Sequence, residues 1–239
     1  MIELVGFDGD DTLWHSEGFY QDAQAAFRRI LAGYVDLTDQ AVHTALYAGE
    51  RRNLRLFGYG AKGMTLSMIE TAIAVTGERI NAADLHRIVE LGKSVLCHPV
   101  ELLPGIRAAI EQVAVRHRVV LITKGDLFHQ EAKIASSGLA DLFARIEIVS
   151  EKDHAAYTRV LRECSVEPQR FAMVGNSLRS DIGPVLALGG YGVHLPYHVT
   201  WAHELEHDVA EEHAHVVRIE APAQIPAAVE SLCALAVQA

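Results

Sequence analysis

In the stretch Val5–Trp14, VGFDGDDTLW, a short apolar run ends in a group of aspartates. Residues 2–7 have the apolar character of a buried strand. Asp8, Asp10 and Asp11 follow directly. Carboxylates held close together repel one another and raise at least one pKa, so an ordinary surface turn would not collect them. We therefore expect these aspartates to take part in chemistry.

Further short runs along the chain resemble this first strand. They are apolar throughout rather than alternating, and polar or glycine residues follow them, which is typical of buried parallel strands. The predicted strands are Ile2–Phe7, Val119–Thr123, Ile146–Val149, Phe171–Gly175 and Gly192–Leu195, with a weaker candidate at Val216–Ile219. Amphipathic segments of helical period lie between them, at Pro104–His117, Leu127–Ser137, His154–Glu163 and Leu178–Leu188. This alternation predicts a doubly wound α/β sheet.

The region between the first and second strands breaks the alternation. It contains helical patterns without a convincing strand, with Thr38 and Asn81 as N-caps and Gly33 and Gly77 as stops. The sequence therefore predicts an inserted helical module at residues 17–98, and a core built from 1–16 and 99–239.

Composition narrows the classes of function. The chain has 239 residues, is 50% hydrophobic and carries a formal net charge of -10, so its field would repel nucleic acid and anionic membranes. The cysteines, Cys97, Cys164 and Cys233, are odd in number and far apart, which suits a reducing cytoplasm. Neither a signal peptide nor a transmembrane segment is evident. We expect a soluble cytoplasmic protein; its oligomeric state is open.

The ends of the predicted strands carry the chemistry, because ligands of open parallel sheets bind beyond the carboxyl ends of the strands. Carboxylates, an amide, a hydroxyl and lysines share this edge: Asp8, Asp10, Thr123, Lys124, Lys152, Asn176 and Asp181. Lysine and hydroxyl groups suit a phosphate dianion, and carboxylates suit Mg²⁺. Asp8 and Asp10, two residues apart on an extended segment, can act as nucleophile and general acid/base. The pattern thus favours metal-assisted phosphoryl transfer.

These motifs resemble those of the haloacid dehalogenase superfamily, in the subgroup whose helical cap follows the first motif. The matching segments are FDGDDTL, VVLITKG, Lys152 in VSEKD, and MVGNSLRSDI, in the family's order along nearly the whole chain. The resemblance implies a Rossmann-like α/β core with an inserted α-helical cap domain, and a hydrolase that takes the phosphoryl group of a small phosphorylated metabolite onto Asp8.

The resemblance also implies a role for each matching residue. Asp10 would protonate the leaving oxygen and then activate water, while Thr123 and Lys152 would hold phosphoryl oxygens, with Lys124 as a further phosphate-binding candidate. Mg²⁺ would be bound by Asp8, the Asp10 carbonyl and Asp181. Asn176 stands where the family often has an aspartate, so it is a weaker candidate ligand and Mg²⁺ binding should be weaker.

Several alternatives stay open. A haloacid dehalogenase would use Asp8 without needing Asp10, a phosphomutase would return the phosphoryl group to its substrate, and a silent family member would only bind a metabolite. Asp11 alone is expected to make turn or cap contacts. His203–His207 fits the H-E-x-x-H zinc pattern, with Glu204 as its base, but we take this match as a false positive in an exposed excursion.

Overall fold

The computed structural model describes residues 1–36, 38–210 and 213–238. The chain divides into two compact units. One comprises Met1–Glu17, Val100–Lys124 and the residues from Gln130 onward, and the other comprises Gly18–Pro99 with Gly125–His129. This division differs from the predicted boundaries in grouping residues 125–129 with the helices. The assignment of residues 17–98 as a cap stays a prediction.

The first unit is built on a parallel sheet. Within the described ranges, six strands pair in the order β3-β2-β1-β4-β5-β6, all of them parallel. Their bounds are β1 Leu4–Phe7, β2 Arg118–Lys124, β3 Arg145–Val149, β4 Phe171–Gly175, β5 Tyr191–His194 and β6 Val216–Arg218. The predicted strands are confirmed, including the weak candidate at the edge, with ends that shift by one or two residues.

Both faces of the sheet are buried, which explains why its strands do not alternate in polarity. Val5 and Phe7 of β1 pack into one hydrophobic cluster, whereas Leu4 lies in the cluster on the other face. Helices cover each face: Ile110 of α5, Ile106–Ala114, contributes to the first cluster, and Tyr157 of α7, His154–Cys164, contributes to the second. The predicted doubly wound α/β class is therefore confirmed.

The helices of this unit mostly follow the prediction. Their bounds are α5 Ile106–Ala114, α6 Leu127–Ser137, α7 His154–Cys164, α8 Gly183–Ala187 and α9 Ile225–Gln238. The prediction Pro104–His117 was too long at both ends, and α9 was not predicted.

The helix predicted at Leu178–Leu188 was wrong in type over its first half. Leu178–Ile182 forms a π-helix that leads into α8. Pro184 has no N–H to donate to the carbonyl of Ser180 four residues earlier. The hydroxyl of Tyr157 donates to that carbonyl at 3.1 Å instead. The wide turn is thus stabilised from the neighbouring α7.

The second unit is helical, as predicted. Its helices are α1 Glu17–Leu31, α2 Asp39–Phe57, α3 Ala61–Val75 and α4 Ala82–Leu96. Thr38 and Asn81 cap α2 and α4 by accepting backbone N–H groups, which confirms both predicted N-caps. A Cβ at Gly92 of α4 would lie 1.9 Å from Oγ1 of Thr65 in α3, so this glycine permits the two helices to pack closely.

The helices differ from membrane-spanning segments. Within the described ranges, none combines the length and the apolar character that crossing a bilayer requires.

Candidate active site

The order of the strands brings the predicted residues to one edge of the sheet. β1 lies between β2 and β4, so Asp8 follows the central strand with Thr123 at the end of one neighbour and Gly175 at the end of the other. The chain leaves β1 toward β2 on one side and later adds β4 on the other. Ligands of doubly wound folds bind at such a switch point.

Asp8 lies in a buried group of charges. Its Oδ1 accepts a hydrogen bond from Nζ of Lys152, which also donates to Oδ1 of Asp181 at 2.7 Å. Thr12 donates its hydroxyl to Oδ2 of Asp8 at 3.2 Å. Asp8 is 6% exposed, and Lys152 and Asp181 are buried as well. One lysine therefore joins the carboxylates that follow β1 and β4.

The balance of charge here favours a further cation. Burial and the nearby Asp181 raise the pKa of Asp8 to about 7, although Lys152 opposes this shift. Burial would lower the pKa of Lys152, but Asp181 and Asp8 raise it well above its usual value, so this lysine stays protonated. Two carboxylates thus share one cation, and a second positive charge would favour ionised Asp8.

Asp10 has partners of its own. Its Oδ1 accepts hydrogen bonds from Nζ of Lys133 at 2.5 Å and from Nε1 of Trp14 at 2.6 Å, while Oδ2 accepts from Nε2 of Gln130 at 2.8 Å. Burial alone would raise the pKa of Asp10, but Lys133, Gln130 and Trp14 together hold it below the usual range. Asp10 is therefore a carboxylate at neutral pH in this arrangement.

Asp11 serves the backbone, which confirms its predicted turn and cap contacts. Its φ of 61° lies in the left-handed region. Its Oδ1 accepts the N–H groups of Ser16 at 2.8 Å and of Glu17 at 3.1 Å, at the start of α1.

Gly9 holds the loop close to Thr123. A Cβ at Gly9 would lie 3.0 Å from the hydroxyl oxygen of Thr123 and 2.9 Å from the Trp14 ring. Thr123 is itself 1% exposed. The absence of a side chain at position 9 is therefore required by the packing of these neighbours.

The loop after β4 positions Asp181. The backbone N–H of Ser177 donates to Oδ2 of Asp181 at 2.9 Å. A Cβ at Gly175 would lie 2.3 Å from the Asp181 carboxyl, so glycine is needed at that position. Asn176 is nearby, and its Oδ1 accepts the Thr12 hydroxyl at 3.3 Å.

Comparison with known proteins identifies the family. A family model described as haloacid dehalogenase-like hydrolase matches residues 2–189. The chain belongs to this family. Among solved structures, a haloacid dehalogenase-like hydrolase from Xanthomonas campestris is 54% identical, with a TM-score of 0.91 and coverage of 100% of this chain and 99% of that one.

More distant haloacid dehalogenase-like structures share the fold. A 2-haloacid dehalogenase from Pseudomonas syringae pv. Tomato is 23% identical, with a TM-score of 0.63 and coverage of 97% of this chain and 99% of that one. The hydrolase YfnB from Bacillus subtilis, solved with bound magnesium, is 16% identical, with a TM-score of 0.61 and coverage of 97% and 98%. No curated protein matches the chain.

The H-E-x-x-H segment of this hydrolase has a different structure from a zinc helix. Ala202–Glu204 forms a 3-10 turn, and the described residues that follow it, 205–210, contain no helix. Across the described residues, no group of three or more His, Cys, Asp or Glu side chains is arranged to hold a metal. The expectation that the whole segment is exposed was wrong for Glu204, whose side chain is 11% exposed.

Glu204 reaches the predicted site residue Lys124. Its Oε1 lies 2.5 Å from Nζ of Lys124, and its Oε2 accepts the hydroxyls of Ser177 at 2.5 Å and Ser180 at 2.7 Å. Lys124 also donates to the Ser180 hydroxyl at 2.9 Å and lies 3.6 Å from Glu151. Lys124 is thus held among protein oxygens.

The oxygens around Asp8 form a donor set that fits Mg²⁺. Asp8 and Asn176 each direct an oxygen to the Thr12 hydroxyl, so a carboxylate and an amide oxygen come close to each other. Both Asp181 oxygens accept protein hydrogen bonds, from Lys152 and from the Ser177 N–H. One carboxylate with neutral oxygens and water fits Mg²⁺, which usually keeps several waters. The role of Asp181 as a ligand stays a prediction.

Sequence reasoning missed the residues that surround the predicted ones. Gln130 and Lys133 lie three apart on α6, a spacing that places side chains on one helix face. That spacing was readable from the correctly predicted helix. No comparable sequence pattern indicated the contact between Glu204 and Lys124, because these residues are distant in the sequence.

Proposed function

We propose that the protein is a Mg²⁺-dependent phosphatase that hydrolyses a small phosphomonoester through an aspartyl-phosphate at Asp8. The observation that carries this proposal is the second carboxylate, Asp10. It lies two residues after Asp8 and accepts hydrogen bonds from three side-chain donors. A phosphatase needs a group that exchanges protons with its leaving oxygen and with water. Displacement of halide from carbon needs only the nucleophile.

In the first step, a carboxylate oxygen of Asp8 attacks phosphorus and the bond to the leaving oxygen breaks. Asp10 gives its proton to that oxygen. Asp10 is a carboxylate before substrate binds, but an approaching phosphate dianion raises the pKa of a neighbouring carboxyl and so favours its protonated form. In the second step, ionised Asp10 takes a proton from water as the water attacks phosphorus, which releases Asp8.

The remaining residues bind and orient the phosphoryl group. Protonated Lys152 and the hydroxyl of Thr123 are suited to hold its oxygens. Mg²⁺, when bound, supplies positive charge that stabilises the phosphoryl oxygens. We assign its binding to Asp8, the Asp10 carbonyl and Asp181, with Asn176 as a weaker ligand. The substrate class is a small phosphorylated metabolite in the cytoplasm, since the net charge of -10 disfavours nucleic acid.

Turnover of p-nitrophenyl phosphate tests the proposal. The native protein is assayed with Mg²⁺ and with EDTA, beside Asp8→Asn and the matched control Asp141→Asn, which changes an exposed aspartate of the same unit. We expect activity that needs Mg²⁺, survives in Asp141→Asn and is lost in Asp8→Asn. Asn176→Asp is expected to lower the Mg²⁺ concentration for half-maximal rate, because it adds a carboxylate near Asp8.

The other outcomes separate the rival functions. Metal-independent turnover, or full activity of Asp8→Asn, contradicts the mechanism. Halide release from 2-haloacids indicates a dehalogenase, and transfer of label between two sugar phosphates indicates a phosphomutase. Binding without turnover on a broad panel of phosphate esters indicates a silent metabolite-binding protein.

A further inference from the structure

The carboxylate of Glu204 lies in a pocket of hydrogen-bond donors. Lys124 supplies a cation to one oxygen, and Ser177 and Ser180 supply hydroxyls to the other. Both serines are buried, at 7% and 5% exposed, and the Lys124 side chain is 16% exposed. A cation and two hydroxyls around one carboxylate are the contacts with which proteins bind oxyanions.

The donors and the carboxylate come from different kinds of structure. Lys124 ends β2, and Ser177 and Ser180 belong to the turn that leads from β4 to Asp181. Glu204 lies in the connection between β5 and β6, whose described residues 196–210 contain only a 3-10 turn as regular structure. The donors are therefore fixed by the sheet, whereas the carboxylate is carried by an irregular segment.

The electrostatics show that Glu204 is an anion in this pocket. Burial alone would raise its pKa, but Lys124 and the two serine hydroxyls lower it to about 2. The donors thus select the charged form of the side chain. They would favour any other oxyanion of similar size for the same reason.

We propose that Lys124, Ser177 and Ser180 form an oxyanion subsite beside the catalytic carboxylates, which the chain fills with its own Glu204 until an oxyanion of the substrate displaces it. The proposal rests on the proposed function in taking that substrate to be a phosphomonoester. The incoming oxyanion belongs to the transferred phosphoryl group or to an anionic leaving group. Glu204 then selects substrates, because only an oxyanion that binds these donors well replaces it.

Direct binding of orthophosphate tests the subsite without any turnover. Dissociation constants are measured by calorimetry for the native protein, Glu204→Gln, Lys124→Met and the double variant. Glu204→Gln keeps the shape of the side chain but removes its charge, so we expect orthophosphate to bind about tenfold more tightly, the scale of one charge-assisted contact. The gain should vanish in the double variant, where Lys124 is absent.

Lys124→Met in the presence of Glu204 is a second test that does not depend on the fold of the Glu204 variant. We expect it to change orthophosphate binding by less than about twofold, since Glu204 already occupies the lysine and little is lost. A tenfold loss would show that Glu204 does not compete with phosphate for Lys124, and would overturn the proposal. Unchanged or weaker binding in a folded Glu204→Gln protein, or an equal gain in the double variant, would overturn it too.

Two substrates identify the incoming oxyanion. If Glu204→Gln raises kcat/KM more for p-carboxyphenyl phosphate than for phenyl phosphate, the subsite takes the leaving group. An equal rise means that it takes the transferred phosphoryl group, and either rise supports the subsite. A fall for both substrates in the folded variant contradicts it. If no phosphate ester is hydrolysed, the proposed function fails, while the binding data still decide the subsite.

Discussion

At the scale of residues, the pKa values of the neighbouring Asp8 and Asp10 are shifted in opposite directions. Lys152 is shared between Asp8 and Asp181, so it does not offset the burial that raises the pKa of Asp8. Lys133 donates to Asp10, and with Gln130 and Trp14 it lowers the pKa of that carboxyl. Two carboxyls whose environments separate their pKa values are suited to different roles in acid–base chemistry.

Lys133→Met tests the role of this contact. The variant keeps most of the side-chain volume but removes the charge that holds Asp10 ionised. Attack of water on the aspartyl-phosphate should slow, and we expect kcat to fall roughly 10- to 100-fold. Acid-quenched samples should then contain more phosphoenzyme at steady state. Lys93→Met, at an exposed lysine of α4, is the matched control and should behave like the native protein. An unchanged kcat in Lys133→Met would contradict the assigned role.

Candidate site residues could be predicted from the sequence where they lie at the end of an apolar strand. Asp8 follows β1 and Thr123 lies near the end of β2, and their place at one edge follows from the parallel sheet. Gln130, Lys133 and Glu204 were not predicted, because their contacts depend on how a helix and a long connection pack against the strand ends. Local sequence patterns do not encode such packing directly.

At the scale of elements, the turn after β4 is shaped by two requirements. Pro184 removes a helical hydrogen bond, so the chain opens into a π-helix over Leu178–Ile182. Asp181 must also fold back over Gly175 to reach Lys152. Periodicity predicted an α-helix here, because apolar spacing alone does not indicate where a helix widens into a π turn. The short α8 and the unpredicted α9 likewise depend on their packing against the sheet.

Gly175→Ala tests how tightly this turn is packed. The added methyl would meet the Asp181 carboxyl at 2.3 Å, so Asp181 must move away from Lys152. We expect the free energy of unfolding, measured with urea, to fall by about 1 to 3 kcal/mol. Gly18→Ala is the control, since a Cβ there meets nothing within 4 Å. Equal stability of the two variants would show that the turn relaxes without cost.

At the scale of the whole molecule, buried carboxyls of two kinds give stability opposite dependences on pH. Asp8 and Asp11 have pKa values raised to about 7, chiefly by burial. Such groups bind more protons when folded, so their contribution to stability is present at low pH and lost as pH rises toward 7. The pKa of Glu204 is lowered to about 2, so its contribution to stability is present at neutral pH and is lost as the pH falls toward 2.

Asp11→Asn isolates one of these contributions. The amide oxygen can still accept the N–H groups of Ser16 and Glu17, but the side chain no longer ionises. Relative to the native protein, the variant should gain unfolding free energy as pH rises from about 4 to 7, by about 1 to 4 kcal/mol. Urea unfolding at pH 4, 5.5, 7 and 8, without added metal, measures the difference. A difference that does not depend on pH would contradict the raised pKa.

The most direct test of the central claim is the chemical identity of the phosphorylated residue. The native protein is mixed with a phosphomonoester and Mg²⁺ and quenched in acid, and borohydride then converts an aspartyl-phosphate into homoserine. We predict homoserine at position 8 of the native protein, detected by mass spectrometry of the peptide that contains VGFDGDDTLW. In Asp8→Asn, no other aspartate should be converted to homoserine. Phosphate found on another residue, or turnover with no modification at Asp8, would contradict the account.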